Sequence, residues 1–428
     1  MIGTIARVSR SEGFGSVLRR MRERIGETVR MRTMLARGAF TTPGGAALLN
    51  VSAMGPFARL GGLPAQLSAR LDEERTLRAV ALLYPGVLEV GPIARRAPFF
   101  SPATALFDLD FEHAVRYALE ATGARTIHLE GTAGIPTGSV LRMMSTGLEV
   151  VLGVHDFSLF CARPHLVHEP SRAFCNYEMD IARCDRCLLQ TWPSSPNGQT
   201  ERRSIARHLL TAARAVVFPS RFLRDKHREL FALPDLEGHV IEPALRSGQA
   251  SPRSHGGPPR IAYAGSLKRH KGAQLLPDII AAFANGEVDW HVFGGGDEDL
   301  LRTARGLPGT TVHGYHRAGT LPSLLATHGI DLGLLLSTSP ETYCFVLSEL
   351  WSAGVPAVGF AHGAIAERIG RAGGGWLSPV EEGAGGIVRI VRQWLDGNLT
   401  TVIPQLTTTP RHAAAASIAL YRSLGLIA

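Results

Sequence analysis

Two carboxylates eight residues apart, Glu341 and Glu349, stand in the stretch with the densest chemistry, residues 337–363. Residues 331–336 form an apolar run that reads as a strand, and Ser339-Pro340 reads as a turn. Phe345, Val346, Leu347, Leu350 and Trp351 then mark a short helix, which stops at Gly354 before a second apolar strand over 355–360. Glu341 therefore falls on the loop before the helix, and Glu349 lies one to two turns inside it. Unpaired N–H groups and the positive dipole end at a helix start suit an anion such as a diphosphate. From inside the helix a carboxylate can accept both hydroxyls of a ribose. One on the preceding loop can meet a sugar on the far side of the diphosphate. Two glutamates alone are more often a solvated face, so the surroundings decide.

Three glycine loops and a histidine accompany that stretch. The strand at 260–265 leads into G-x5-K-G, from Gly265 to Lys271-Gly272, where an ammonium would help a diphosphate leave. Gly294 opens a Gly-Gly-Gly run after the strand D-W-H-V-F and offers backbone to a nucleotide. Gly61-Gly62 follows the first apolar strand, without the G-x-G-x-x-G spacing of a dinucleotide fingerprint. His155-Asp156 stands at the carboxyl end of the strand 148–156, the place where open α/β sheets hold ligands. His362-Gly363 occupies a similar place with a weaker signal.

Four of the five cysteines, Cys161, Cys175, Cys184 and Cys187, crowd into 27 residues, the last two as C-x2-C. Four thiolates make a closed tetrahedral site, which reads as structural Zn²⁺ with no open position for catalysis. Separately buried reduced thiols and an iron–sulfur or redox pair are the alternatives. The gaps match no standard finger, and His165 and His168 are substitute ligands.

These residues must be positioned by a chain of 428, long enough for two cores. Strands at 46–53, 126–130, 148–156, 215–220 and 239–243 alternate with helices, and the alternation resumes at 260. That pattern means parallel sheets covered on both faces. Polar, Pro/Gly-rich residues 244–259 divide the domain at 46–243 from the domain at 260–400, and 401–428 ends the chain in a helix over 410–424. Residues 1–45 hold nine Arg against three Glu, six units of the net charge of +8. A basic extension on a nearly neutral body argues against a nucleic-acid binder. Within it, residues 14–38 read either as an amphipathic contact to an anionic membrane face or as a solvated leader. No apolar run reaches the roughly 18 residues that span a bilayer, and no signal peptide stands at the start. The expected location is cytoplasmic, with the membrane contact peripheral.

Glu341-x7-Glu349 with S-A-G-V-P-A-V-G-F resembles the E-x7-E region of GT-B retaining glycosyltransferases of the family 4 type. The glycine loops at 61–62 and 265–272 and the sequence V-H-D-F resemble that family's loops and strand-end histidine, in the same order. Cys161 to Cys187 resemble an insert of bacterial surface-polysaccharide glycosyltransferases. Two departures stand out: Ser266 where the family has Arg, and Thr342-Tyr343-Cys344 where it often has Gly-Phe-Gly. Lys268 or Arg269 is then the substitute cation. The resemblance implies two Rossmann-like domains facing across a cleft, the second holding a nucleotide-sugar, and a last helix packed back on the first domain. It implies transfer to a saccharide or lipid-linked acceptor without a catalytic metal. Lys271 would neutralise phosphate, Glu349 hold ribose, and Glu341 and His155 grip the sugar. A nucleotide-sugar epimerase and an inactive protein of the same fold, a sugar-nucleotide binder or a scaffold, are the rival readings.

Overall fold

A computed structural model describes residues 47–54, 62–84, 87–90, 107–189, 198–246, 255–406 and 408–427. Gly61, the basic residues 1–45 with 14–38 among them, and 247–254 of the expected linker lie outside these. The chain divides into two compact units. Among the described residues, one holds 255–406 with Ser171–Phe174, and the other holds the rest, including 408–427.

In the unit that begins the described chain, the elements are β1 (Leu48–Val51), α1 (Gly62–Glu74), β2 (Ala81–Tyr84), β3 (Val87–Val90), α2 (Phe107–Thr122), β4 (Thr126–Glu130), α3 (Thr137–Ser145), β5 (Glu149–Gly153), α4 (Ile181–Leu189), α5 (Gly198–Ala212), β6 (Ala215–Phe218), α6 (Arg221–Leu230) and β7 (Gly238–Val240). Its sheet runs β3-β2-β1-β4-β5-β6-β7, parallel except for the β2–β3 hairpin. Strands β1, β2, β4 and β6 are buried along their whole length, as double-sided helix cover requires.

The second unit contains β8 (Arg260–Ala264), α7 (Leu276–Ala281), β9 (Asp289–Phe293), α8 (Glu298–Gly306), β10 (Thr310–Gly314), α9 (Leu321–Thr327), β11 (Leu332–Leu335), α10 (Phe345–Ser352), β12 (Ala357–Phe360), α11 (Gly363–Ala372), β13 (Gly375–Ser378) and α12 (Gly383–Leu395). These strands form one parallel sheet ordered β10-β9-β8-β11-β12-β13. The period-two rule shows directly in its cores. Ile261, Tyr263, Val292, Leu334 and Val358 enter one core, while Ala262, Ala264, Phe293, Leu335 and Ala357 enter the other. Strands β8, β9, β11 and β12 therefore present apolar side chains to both faces of the sheet. The sheet order reverses between β8 and β11, which is where such sheets open a ligand crevice.

The last helix, α13 (Pro410–Ser423), is capped by Thr409 Oγ1 accepting from His412 N at 3.3 Å, with Pro410 in its first turn. It packs on α1 within the first-described unit, and its Leu420 joins Val151, Ala215 and Val217 in one core. Elements that propensity did not single out include α2, β3, α8, α11, α12 and β13. Helix α4 is another: it carries Cys184 and Cys187 three residues apart, about one helical turn.

Candidate active site

The reversal point of the second sheet is a junction of two loops. Gly272, at φ 74°, lies where a Cβ would sit 1.7 Å from the Leu336 carbonyl, so only glycine lets the loop after β8 touch the end of β11. Tyr263 Oη donates to the carbonyls of Ser266 (2.8 Å) and Lys271 (3.2 Å) and holds that loop closed. The amides of Thr338 and Ser339 both donate to the His270 carbonyl, at 3.0 and 3.2 Å. Two loops far apart in sequence are thus pinned together.

Their side chains meet. Lys271 Nζ donates to Glu341 Oε1 at 2.6 Å, and Ser337 Oγ donates to the same oxygen at 2.6 Å. Burial opposes charge on both partners, yet each more than compensates for the other. Lys271 is raised above its ordinary value, and Glu341 is held below its own. The pair is partly open, with side chains 29% and 16% exposed. His362 Nε2 donates to the Ser337 carbonyl at 2.7 Å, and Ala364 N donates to the Glu341 carbonyl at 2.8 Å. The N-terminus of α11 therefore starts against the Glu341 loop.

Glu349 has a different situation. Only 4% exposed, it accepts from Gly319 N at 2.9 Å through Oε1. Burial pushes its carboxyl up to about 7 against the pull of the Gly319 and Leu321 amides. In the unliganded fold this carboxylate closes the start of α9. Gly294 also serves the fold: a Cβ there would lie 1.8 Å from the Gly265 carbonyl. A Cβ on Gly265, by contrast, would meet nothing within 4 Å, so that backbone faces open space. Lys268 pairs with Asp297 at 3.3 Å.

Of the three residues that replace Gly-Phe-Gly, Tyr343 and Cys344 are held by Arg368. Its guanidinium lies 4.2 Å over the Tyr343 ring and donates to the carbonyls of Tyr343 (3.1 Å) and Cys344 (2.8 Å). Cys344 sits at φ 69°, in the left-handed region, immediately before α10. Burial pushes its thiol up to about 12.

His155 belongs to the other unit. It follows β5, beside Gly131 and Gly153, where an added Cβ would come within 3.4 Å of the imidazole. Burial drives the ring down to about 4, against the nearby Glu130 carboxylate, so it is neutral near pH 7. Glu130 pairs with Arg70, which also bonds Glu74 at 2.9 Å, Ser417 at 3.1 Å and Tyr421 at 3.1 Å. Tyr421 Oη closes on His128 Nδ1 at 2.6 Å. This buried network escapes motif reading. Its one sequence signal is T-I-H-L-E, a buried strand with His128 and Glu130 two residues apart on one face. Gly62 begins α1, the helix that carries Arg70.

The four cysteines share a neighbourhood poor in regular structure. Cys161 Sγ accepts from Arg163 N at 3.4 Å and Cys187 Sγ from Glu169 N at 3.5 Å. Cys184 Sγ accepts from Arg203 at 3.4 Å, and Cys175 accepts from the amides of Glu178 and Tyr177. Leu166, Arg172, Asn176 and Tyr177 all have positive φ. None of the four cysteines is in a disulfide. No three of the four bring their sulfurs within 4.8 Å of one another.

Residues 258–396 match the family described as Glycosyl transferases group 1. No curated protein matches the chain by sequence. Sucrose-phosphate synthase from Thermosynechococcus elongatus has a similar structure, with a TM-score of 0.57 at 15% identity over 89% of this chain and 97% of that one. HepE of Anabaena, in complex with UDP and glucose, gives 0.55 at 14% identity over 88% and 95%. The lipopolysaccharide outer core galactosyltransferase WaaB, in its apo form, gives 0.52 at 12% over 89% and 96%. At such identities the likeness establishes the fold. The chain has the GT-B fold, and its residues 258–396 match a glycosyltransferase group 1 domain.

Proposed function

We propose that this enzyme moves a sugar from a nucleoside diphosphate donor to a hydroxyl of a saccharide or lipid-linked saccharide, with retention of configuration. The family 4 type and a role in bacterial surface polysaccharide synthesis are part of this reading. The observation that carries it is the Lys271–Glu341–Ser337 cluster at the reversal point of the sheet, beside the start of α11. A diphosphate entering here competes with Glu341 for the Lys271 ammonium, and the helix start adds amide donors. Gly265 leaves backbone open for its approach. Glu341, once released, faces the sugar, and Glu349 turns from the Gly319 amide to the ribose. His155, neutral near pH 7, serves as a hydrogen-bonding partner for the sugar and not as a cation. The UDP and glucose held by HepE are the same chemical classes.

Cytoplasmic placement, with residues 14–38 resting on an anionic membrane face, completes the proposal. No helix among the described residues is long and apolar enough to cross a membrane. No metal takes part in catalysis in this reading, and zinc on Cys161, Cys175, Cys184 and Cys187 holds the segment after His155. Backbone N–H groups aimed at three of the sulfurs and the run of left-handed residues support it, although the sulfurs must draw closer around an ion.

The test is a thermal-shift screen against UDP, GDP, dTDP, CMP and ADP, followed by sugar-transfer assays with the base that binds. The expected result is a shift with one nucleoside diphosphate, lost in Lys271→Ala. No shift with any nucleotide sinks the donor site and leaves the scaffold reading. Turnover of donor without acceptor favours the epimerase.

A further inference from the structure

Three imidazoles meet on the second unit, away from the residues assigned above. His291 lies in mid-strand β9, His313 near the end of the adjacent β10, and His328 directly after α9. Among the described residues they are the one group of three or more His, Cys, Asp or Glu whose ligand atoms all lie within 4.8 Å of one another. His291 Nδ1 and His313 Nε2 are 2.9 Å apart, and the His313 and His328 rings have centroids 4.3 Å apart. All three are partly exposed. A cavity of about 340 Å³ opens beside them, lined by His291, His328, Asp289, Thr311, Thr327 and Arg260.

We infer that His291, His313 and His328 bind a divalent cation of the zinc type, a site separate from the sugar-transfer chemistry. Imidazole nitrogen suits borderline cations of this kind, and three protein ligands leave a fourth position facing the cavity for water. The geometry is close to what such an ion needs. Two nitrogens on a tetrahedral zinc, each about 2.0–2.1 Å from it, stand about 3.4 Å apart. His291 and His313 therefore separate by about half an ångström as the ion replaces the proton between them. Rigid scaffolding favours the exchange. Two ligands ride on neighbouring paired strands, His313 at the irregularity where the register steps from Val312 to Gly314, and the third is anchored because Arg260 Nη1 donates to the His328 carbonyl at 2.9 Å. Phe293 stacks on His313 at 4.2 Å between centroids and fixes that ring. The ion would tie β9, β10 and the end of α9 together.

The test uses the full chain and must separate this site from the cysteines. Zinc per chain is measured after equilibrium dialysis for the wild type, for Cys184→Ser/Cys187→Ser, and for His313→Asn and His291→Gln made in that cysteine variant, each checked for folding by circular dichroism. The expected result is one equivalent that survives in the cysteine variant and is lost in both histidine variants. Cobalt(II) bound to the cysteine variant should show ligand-field bands without thiolate charge transfer. Added zinc should raise the Tm of that variant by a few degrees, and the rise should vanish with His313→Asn. The inference is overturned if the cysteine variant takes up no metal, or if both folded histidine variants keep the full equivalent. Donor binding is scored separately through Lys271, so failure of either site leaves the other standing.

Discussion

The Lys271–Glu341–Ser337 cluster and the Arg70–Glu130–Tyr421 network both bring opposite charges out of water, but the chain builds them differently. The first rests on two loops at adjacent strand ends, and its side chains remain partly exposed, at 29% for Lys271 and 16% for Glu341. The second is closed on every side. Arg70 is 5% exposed, Glu130 3% and Tyr421 0%, and the partners come from α1, β4 and α13, up to 351 residues apart. An open pair can exchange partners with a ligand. A closed one is already fully hydrogen-bonded, so it orders the fold around His155 and has no donor to give.

Breaking the closed network should have the largest effect on stability. Arg70→Met leaves Glu130 without its arginine while Glu74 keeps Arg78, and a buried partner left alone costs about 3–5 kcal/mol. Chemical denaturation should show this as a large drop in midpoint. Tyr421→Phe removes only the hydroxyl, with a cost of about 1 kcal/mol for each lost bond. If Arg70→Met unfolds no more easily than Tyr421→Phe, the network is not a charge device. For the open cluster the ranking reverses. Lys271→Ala should change stability little but lower kcat/KM for sugar transfer by about 10²–10³-fold, the scale of losing one electrostatic donor to the leaving group.

The same contrast explains what could be read from the sequence. Strand β11, the Glu341 loop and helix α10 are legible because apolar period, turn residues and the carboxylate spacing all fall within some thirty residues. The loop to Gly272 is legible for the same reason. Arg70 and Tyr421 are not, because nothing local marks an arginine in an amphipathic helix or a tyrosine in the last helix as partners. Gly294 shows a subtler limit. A glycine after a strand announces close approach, and here the approaching group is the Gly265 backbone. Glu349 lies where the helical spacing puts it, but burial and the Gly319 amide decide its state, and both belong to the tertiary fold.

Glu349 sharpens the comparison, since it is a closed group proposed to open. Its folded value of about 7 stands above the ordinary 4.5, so the native state holds this proton longer than the unfolded chain does. Its contribution to stability is therefore complete below about 4.5 and is lost as pH rises through 7. Glu349→Gln keeps an acceptor for Gly319 and cannot ionise. It should raise stability at pH 8 by up to about 3 kcal/mol and change little near pH 4. Donor affinity should fall in the same variant, giving opposite signs from one substitution. A Tm gain equal at both pH values would show that ionisation is not the cause.

Cys344 carries the smallest expected effect, and it separates conformation from packing. Its φ of 69° strains any residue with a Cβ, yet Arg368 binds its carbonyl at 2.8 Å and keeps it there. Cys344→Ala and Cys344→Gly both delete the buried thiol, but only glycine relieves the left-handed backbone. The glycine variant should therefore be more stable than the alanine variant by about 1 kcal/mol, less the added chain entropy of the unfolded state. Urea midpoints for the pair decide it. Equal midpoints would mean that Arg368 imposes no strain, and that the departure from Gly-Phe-Gly is accommodated by side-chain packing alone.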